Sequence, residues 1–98
     1  MKIEYNHNLN TAEALKRLKN FASEAKEKYK EHIQDVSEEW DGNKCNFYIK
    51  ALGSKANGTL EVFENKIITE IKLPLMAKPF QGQIKQIILD TFKELLNG

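Results

Sequence analysis

Cysteine occurs once, at Cys45. An internal disulfide framework is therefore excluded, and a bridge could reach only another chain. Arginine is as scarce: Arg17 is accompanied by fourteen lysines. Arginine is the residue that grips phosphate and guanine with two hydrogen bonds at once. Fifteen basic against fourteen acidic side chains leave a net charge of +1. Without a positive field, affinity for a phosphate backbone has no source, so nucleic acid is not an expected partner. Apolar runs are short too. Ile87-Ile88-Leu89 is the longest aliphatic one, far below the ~20 residues that span a bilayer. Met1-Lys2-Ile3-Glu4-Tyr5-Asn6 lacks the apolar core and cleavage site of an export signal. Together with the free thiol, this makes the cytoplasm the expected compartment.

What is present is an ordinary globular composition, 41% hydrophobic and 30% charged over 98 residues. That is enough for a single domain, 1–98, and for no second one. Ile3 and Tyr5 alternate with polar neighbours as a short half-buried strand does. Asn10 suits a helix N-cap, with Glu13 three residues on in a capping-box-like pattern. Leu15, Leu18, Ala22, Ala25, Tyr29 and His32 or Ile33 then recur at helical spacing, with Phe21 beside them. They predict one long amphipathic helix over 11–33, its charged face laced by Glu13/Arg17 and Glu24/Lys28 pairs.

From Val36 the period changes to two. Strands are expected over 36–40, 45–51, 59–63 and 67–73, with turns at Asp41-Gly42-Asn43 and Glu64-Asn65-Lys66 and a loop over 53–58. Pro74 ends the last strand, and Pro79 suits the first position of a second helix carrying Phe80, Ile84, Ile87, Ile88, Phe92, Leu95 and Leu96. The order β-α-β-β-β-β-α predicts an α+β two-layer sandwich: an antiparallel sheet with both helices on one face. A half-repeat of the TATA-box-binding-protein fold has this order, and the helix-grip folds have it more loosely. Such likeness of architecture carries no function.

No catalytic constellation is visible. Cys45 falls on the inward alternation with Phe47 and Ile49, where a thiol is core rather than nucleophile. His32 is expected in the last turn of the first helix, and His7 at the junction tying strand to helix. Asp35, Glu38, Glu39 and Asp41 cluster about Trp40, but alternation splits them between two faces, so they read as solvated edge charge. Gly53 to Gly58 lacks the strand-loop-helix setting and the G-K-[ST] ending of a phosphate loop. No metal or cofactor is expected.

Two surfaces are candidates for partner contact. One is the sheet face away from the helices, where Tyr48, Phe63 and Ile68 would form a patch for a homodimer or partner. The other is the connector Leu75-Met76-Ala77 with Phe80, which either closes the core under the sheet edge or offers an adaptable apolar contact.

His7-Asn8-Leu9 with Ala14, Trp40-Asp41-Gly42-Asn43 before Phe47, Gly58-Thr59-Leu60-Glu61-Val62, Leu73-Pro74-Leu75, Phe80 and Ile84 follow one another along the chain. In that order and spacing they resemble the small polyhydroxyalkanoic acid system proteins, also called granule-region proteins, over essentially the whole length. The resemblance implies a cytoplasmic bacterial protein associated with polyester storage granules, or encoded near that machinery. It brings no catalytic residues. The expected function is therefore that of a non-enzymatic accessory or binding protein acting through an apolar surface, with the granule surface or granule proteins as partners. The competing expectation is a helix-grip-like carrier of a small hydrophobic ligand, with Tyr5, Tyr29 and Thr69 as its inward polar groups. A hydrolase using Cys45 or His7 stands third.

Overall fold

A computed structural model describes residues 1–51 and 53–97 of the chain. The first alternating segment forms β1 (Lys2–Asn6). Asn10 caps the following helix α1 (Thr11–Leu18), its Oδ1 accepting the Glu13 N–H at 2.8 Å. The return half of a capping box is replaced by another contact, because the Glu13 carboxylate accepts from Arg17 Nε at 3.0 Å.

The single helix expected over 11–33 is in fact two. Helix α1 stops at Leu18 and α2 (Phe21–Lys28) begins after Asn20, whose φ of −124° and ψ of 21° leave the helical region. Asparagine is a poor helix former that readily takes such conformations. The break lets α1 pack on the last helix, α3 (Gln81–Asn97), and on strand β4 (Ser54–Phe63), while α2 packs on α3 and on strand β2 (Ile33–Asp41). His32 correspondingly lies outside any helix, exposed in the turn before the sheet. There the Tyr29 carbonyl accepts the N–H groups of both His32 and Ile33. The Glu24/Lys28 pair gives way to a contact between helices: Lys28 Nζ donates to Glu94 of α3, which holds Lys28 above the ordinary lysine value.

Strands β2 (Ile33–Asp41), β3 (Lys44–Ala51), β4 (Ser54–Phe63) and β5 (Lys66–Lys72) follow as a meander, longer than the alternation predicts at β2 and β4. The loop expected over 53–58 is mostly strand. Within it Ala56 and Gly58 pair with Ile49 and Phe47, while Lys55 and Asn57 take the other face. Two small residues supply the apolar half of the pattern, so the stretch has loop composition but strand period. Two-residue turns join β2 to β3 and β4 to β5, with Gly42 (φ 61°) and Asn65 (φ 66°) in the left-handed conformation such hairpins require. Pro79 lies inside a 3-10 helix, Leu75–Phe80, and α3 (Gln81–Asn97) starts two residues later.

The sheet is wholly antiparallel, in the order β1-β5-β4-β3-β2. Ala14, Leu18, Phe21, Ala22, Ile88, Phe92 and Leu96 from the helices form one buried cluster with Ile3, Cys45, Phe47, Leu60, Val62, Ile67 and Ile71 from the sheet. The three α-helices thus cover one face, and the expected α+β class holds with an extra helix. Phe21, which opens α2, is the aromatic hub. It meets Phe47 edge-on at 5.1 Å, Trp40 edge-on at 6.5 Å, and Phe92 at 6.4 Å.

Candidate functional site

Among the described residues, the large apolar side chains that are exposed are concentrated in one segment. Leu75 is 79% exposed, Met76 80% and Phe80 41%, all three within the 3-10 helix. Local chemistry places them there. Pro74 cannot extend β5 and enters the turn with φ −63° and ψ 156°, its carbonyl accepting the Ala77 N–H at 2.9 Å. On either side Leu73 and Ile84 pack against the core, so the segment between them is a tip held at both ends. Of the two roles open to the connector, closing the core is therefore not the one these side chains perform.

The opposite sheet face does not assemble the expected aromatic patch. Register aligns Tyr48 with Ser37 and Asn57, whereas Phe63 pairs with Lys66, and Ile68 lies between Glu4 and Glu61. Asn57 and Phe63 are six residues apart on β4, so Tyr48 is about 20 Å from Phe63 at ~3.3 Å per residue. Phe63 and Ile68 are diagonal neighbours, and Tyr48 is engaged elsewhere. Its hydroxyl donates to Asp35 Oδ2 at 2.7 Å, and Lys55 Nζ sits 4.0 Å from its ring centroid. The Tyr48 hydroxyl holds the Asp35 carboxyl below its usual value, and the Val36 N–H adds to the effect.

Among the acids around Trp40, Asp35, Glu39 and Asp41 are exposed, but Glu38 departs from the expected solvated charge. It pairs with Phe47 and so faces the helices from β2. Burial raises its carboxyl above the usual glutamate value, against the Ala22 backbone N–H in the first turn of α2, which favours the charged form. Glu38 Oε2 and Trp40 Nε1 are buried without closing a hydrogen bond. Alternation alone would have placed Glu38 with Val36 and Trp40; its charge made the solvated reading look sufficient.

Cys45 is fully buried, and burial pushes its thiol up to about 11. His7 is buried as well. Its Nδ1 accepts the Leu9 N–H at 3.1 Å, which leaves Nε2 as the donor to the Phe63 carbonyl at 3.2 Å. Both ring nitrogens thus serve to tie the β1 exit to the β4–β5 hairpin. The space between sheet and α3 is occupied by Ile3, Leu60, Ile67, Phe92 and Leu96. Of the three carrier residues, Thr69 is buried, Tyr29 is half-buried at the end of α2, and the Tyr5 hydroxyl meets Asn97 Nδ2 at 3.0 Å. Two open depressions lie elsewhere: around Gly58 on the sheet, and beside Lys28 and Glu94. Among the described residues, no three His, Cys, Asp or Glu converge as metal ligands, and no helix is long and apolar enough to cross a membrane.

Fold and site together define a small α+β sandwich with an exposed apolar tip. A family model described as "Putative polyhydroxyalkanoic acid system protein (PHA_gran_rgn)" matches residues 1–96, and the chain belongs to that family. Neither the curated proteins nor the solved structures contain a match to the chain.

Proposed function

We propose that this protein is a non-enzymatic accessory factor of the polyhydroxyalkanoate system that contacts the polyester storage granule through the tip Leu75–Phe80. One observation carries the reading. Among the described residues the large apolar side chains are otherwise buried or half-buried, yet Leu75 and Met76 are about four-fifths exposed, on a segment anchored at both ends. Such a cluster marks an interaction surface, and methionine adapts to irregular apolar partners. Membership of the family supplies the system in which that partner is sought.

The test is co-sedimentation with native granules. Burying a Met or Phe side chain contributes about 1.5–3 kcal/mol, so Met76→Asp/Phe80→Asp should weaken the affinity for granules at least roughly tenfold while the circular dichroism spectrum is unchanged. Equal sedimentation of both forms removes the tip from the function. A homodimer through the sheet face has only Phe63 and Ile68 as contiguous apolar contributors, and a solution molar mass measurement reads it directly. The strand order also suits a TATA-box-binding-protein half-repeat or a helix-grip carrier, but the side chains between sheet and α3 favour neither as a binding mode.

A further inference from the structure

The tip has a charge as well as an apolar surface. Between Glu70 and Asp90 the sequence runs nineteen residues without an acid, and Lys72, Lys78 and Lys85 lie within it, all exposed. Lys78 belongs to the 3-10 helix itself, Lys72 ends β5 just before it, and Lys85 lies in the first turns of α3 just after it.

Sheet register extends the asymmetry. The solvent face has two cross-strand rows at the end where β5 runs out: Asp35, Lys50 and Lys55, then Ser37, Tyr48, Asn57 and Lys72. They hold three lysines against one acid, and that acid, Asp35, is already engaged by Tyr48. The next two rows hold five acids, Glu4, Glu39, Asp41, Glu61 and Glu70, against Lys2 and Lys44. A chain of net charge +1 is therefore cationic where its apolar side chains emerge and anionic farther along. Glu70 is the last acid of β5 before the tip; it pairs with Lys2 across β1 and β5.

A bare polyester would reward the apolar side chains and gain nothing from five lysines beside them. We propose that the surface met by the tip is an anionic phospholipid layer, with Leu75, Met76 and Phe80 entering its apolar interior and Lys50, Lys55, Lys72, Lys78 and Lys85 lying over its headgroups. This rests on the granule-contact reading and adds the chemistry of the outermost layer. A lysine near such a surface raises affinity about fivefold, and salt screens that gain.

The experiment uses the full chain, vesicles of pure phosphatidylcholine, vesicles containing roughly a third phosphatidylglycerol, and lipid-free polyester particles. Expected is binding to the anionic vesicles at least about tenfold tighter than to the neutral ones, with that difference largely lost near ~0.5 M salt. Lys72→Gln/Lys78→Gln/Lys85→Gln should cut the preference for anionic lipid several-fold, leaving only the part owed to Lys50 and Lys55, and Met76→Asp/Phe80→Asp should weaken binding to any lipid. Both carry exposed substitutions, and circular dichroism verifies their fold. Equal binding to neutral and anionic vesicles overturns the proposal. So does binding to lipid-free polyester with none to vesicles, which leaves the granule-contact reading standing. A concentration-dependent dimer that Met76→Asp/Phe80→Asp converts to monomer, with no vesicle binding, also overturns it and assigns the tip to a second copy. Vesicle binding without any association with native granules supports the anionic-surface contact and removes the granule reading instead.

Discussion

Gly58 lies directly beneath the ring of Phe47. A Cβ at position 58 would stand 2.6 Å from Phe47 Cζ, 2.8 Å from the Glu70 carbonyl oxygen and 3.1 Å from Ile71 Cγ1. The ring can shift; the backbone oxygen of a central strand cannot. Gly58→Ala should therefore destabilise by about 1–3 kcal/mol, the usual cost of overpacking, and lower Tm by at least ~5 °C. Phe47→Leu in the same chain should recover only part of this, because the Glu70 contact remains. A melt within a degree or so of wild type would mean that β3 and β5 separate more easily than the register implies.

Replacing His7 by Ala removes an acceptor from the Leu9 N–H and a donor from the Phe63 carbonyl. Two part-buried backbone groups left unmet should cost roughly 1–3 kcal/mol. Hydrogen exchange separates this from a general loss of packing. The Leu9 amide should lose protection at once, while amides of β3 and β4 follow only the global change.

The raised Glu38 carboxyl makes stability depend on pH. Because its folded value exceeds the ordinary 4.5, the folded chain binds a proton that the unfolded chain has released across the interval between the two. Its favourable contribution is present below the ordinary value and is lost as pH rises through the folded one. Glu38→Gln keeps the shape and an acceptor but removes the titration. It should be more stable than wild type at neutral pH, with the gap closing on acidification below the folded value. Urea midpoints at pH 7 and across the acid range would show it, and a gap independent of pH would contradict the assignment.

For Cys45, a rise from 9.0 to about 11 lowers the thiolate population at neutral pH about a hundredfold, before blocked access of a reagent is counted. Labelling by a thiol reagent should be slower than in urea by at least that factor. Rapid stoichiometric labelling of the native protein would reopen the nucleophile reading.

Much of this molecule is legible in its sequence because binary pattern follows burial. Cys45, Phe47, Leu60, Val62, Ile67 and Ile71 alternate and are all buried, and the turns at Gly42 and Asn65 fall where the dipeptides place them. Failures occur where one residue's chemistry competes with the pattern. Asn20 interrupts a helix whose apolar spacing continues past it, so periodicity saw one element and backbone preference made two. Gly58 and Ala56 hide a strand because the inner face there has room only for small side chains. Glu38 lies in the right alternation for burial, but its charge argues for solvent. In the candidate site, Leu75, Met76 and Phe80 are recognisable as an apolar connector from composition alone. Whether they face inward or outward depends on Leu73 and Ile84 having filled the space first, which only the packed structure shows.

The tip is short and is joined directly to β5 and α3, both rooted in the core. A disordered apolar segment must surrender its freedom each time it meets a partner, at about 1–2 kcal/mol per residue ordered. Here that loss was incurred once, when the chain folded. Leu75, Met76 and Phe80 consequently behave as fixed studs rather than as a tether, and the orientation of the whole domain on any surface is set by the direction in which they project.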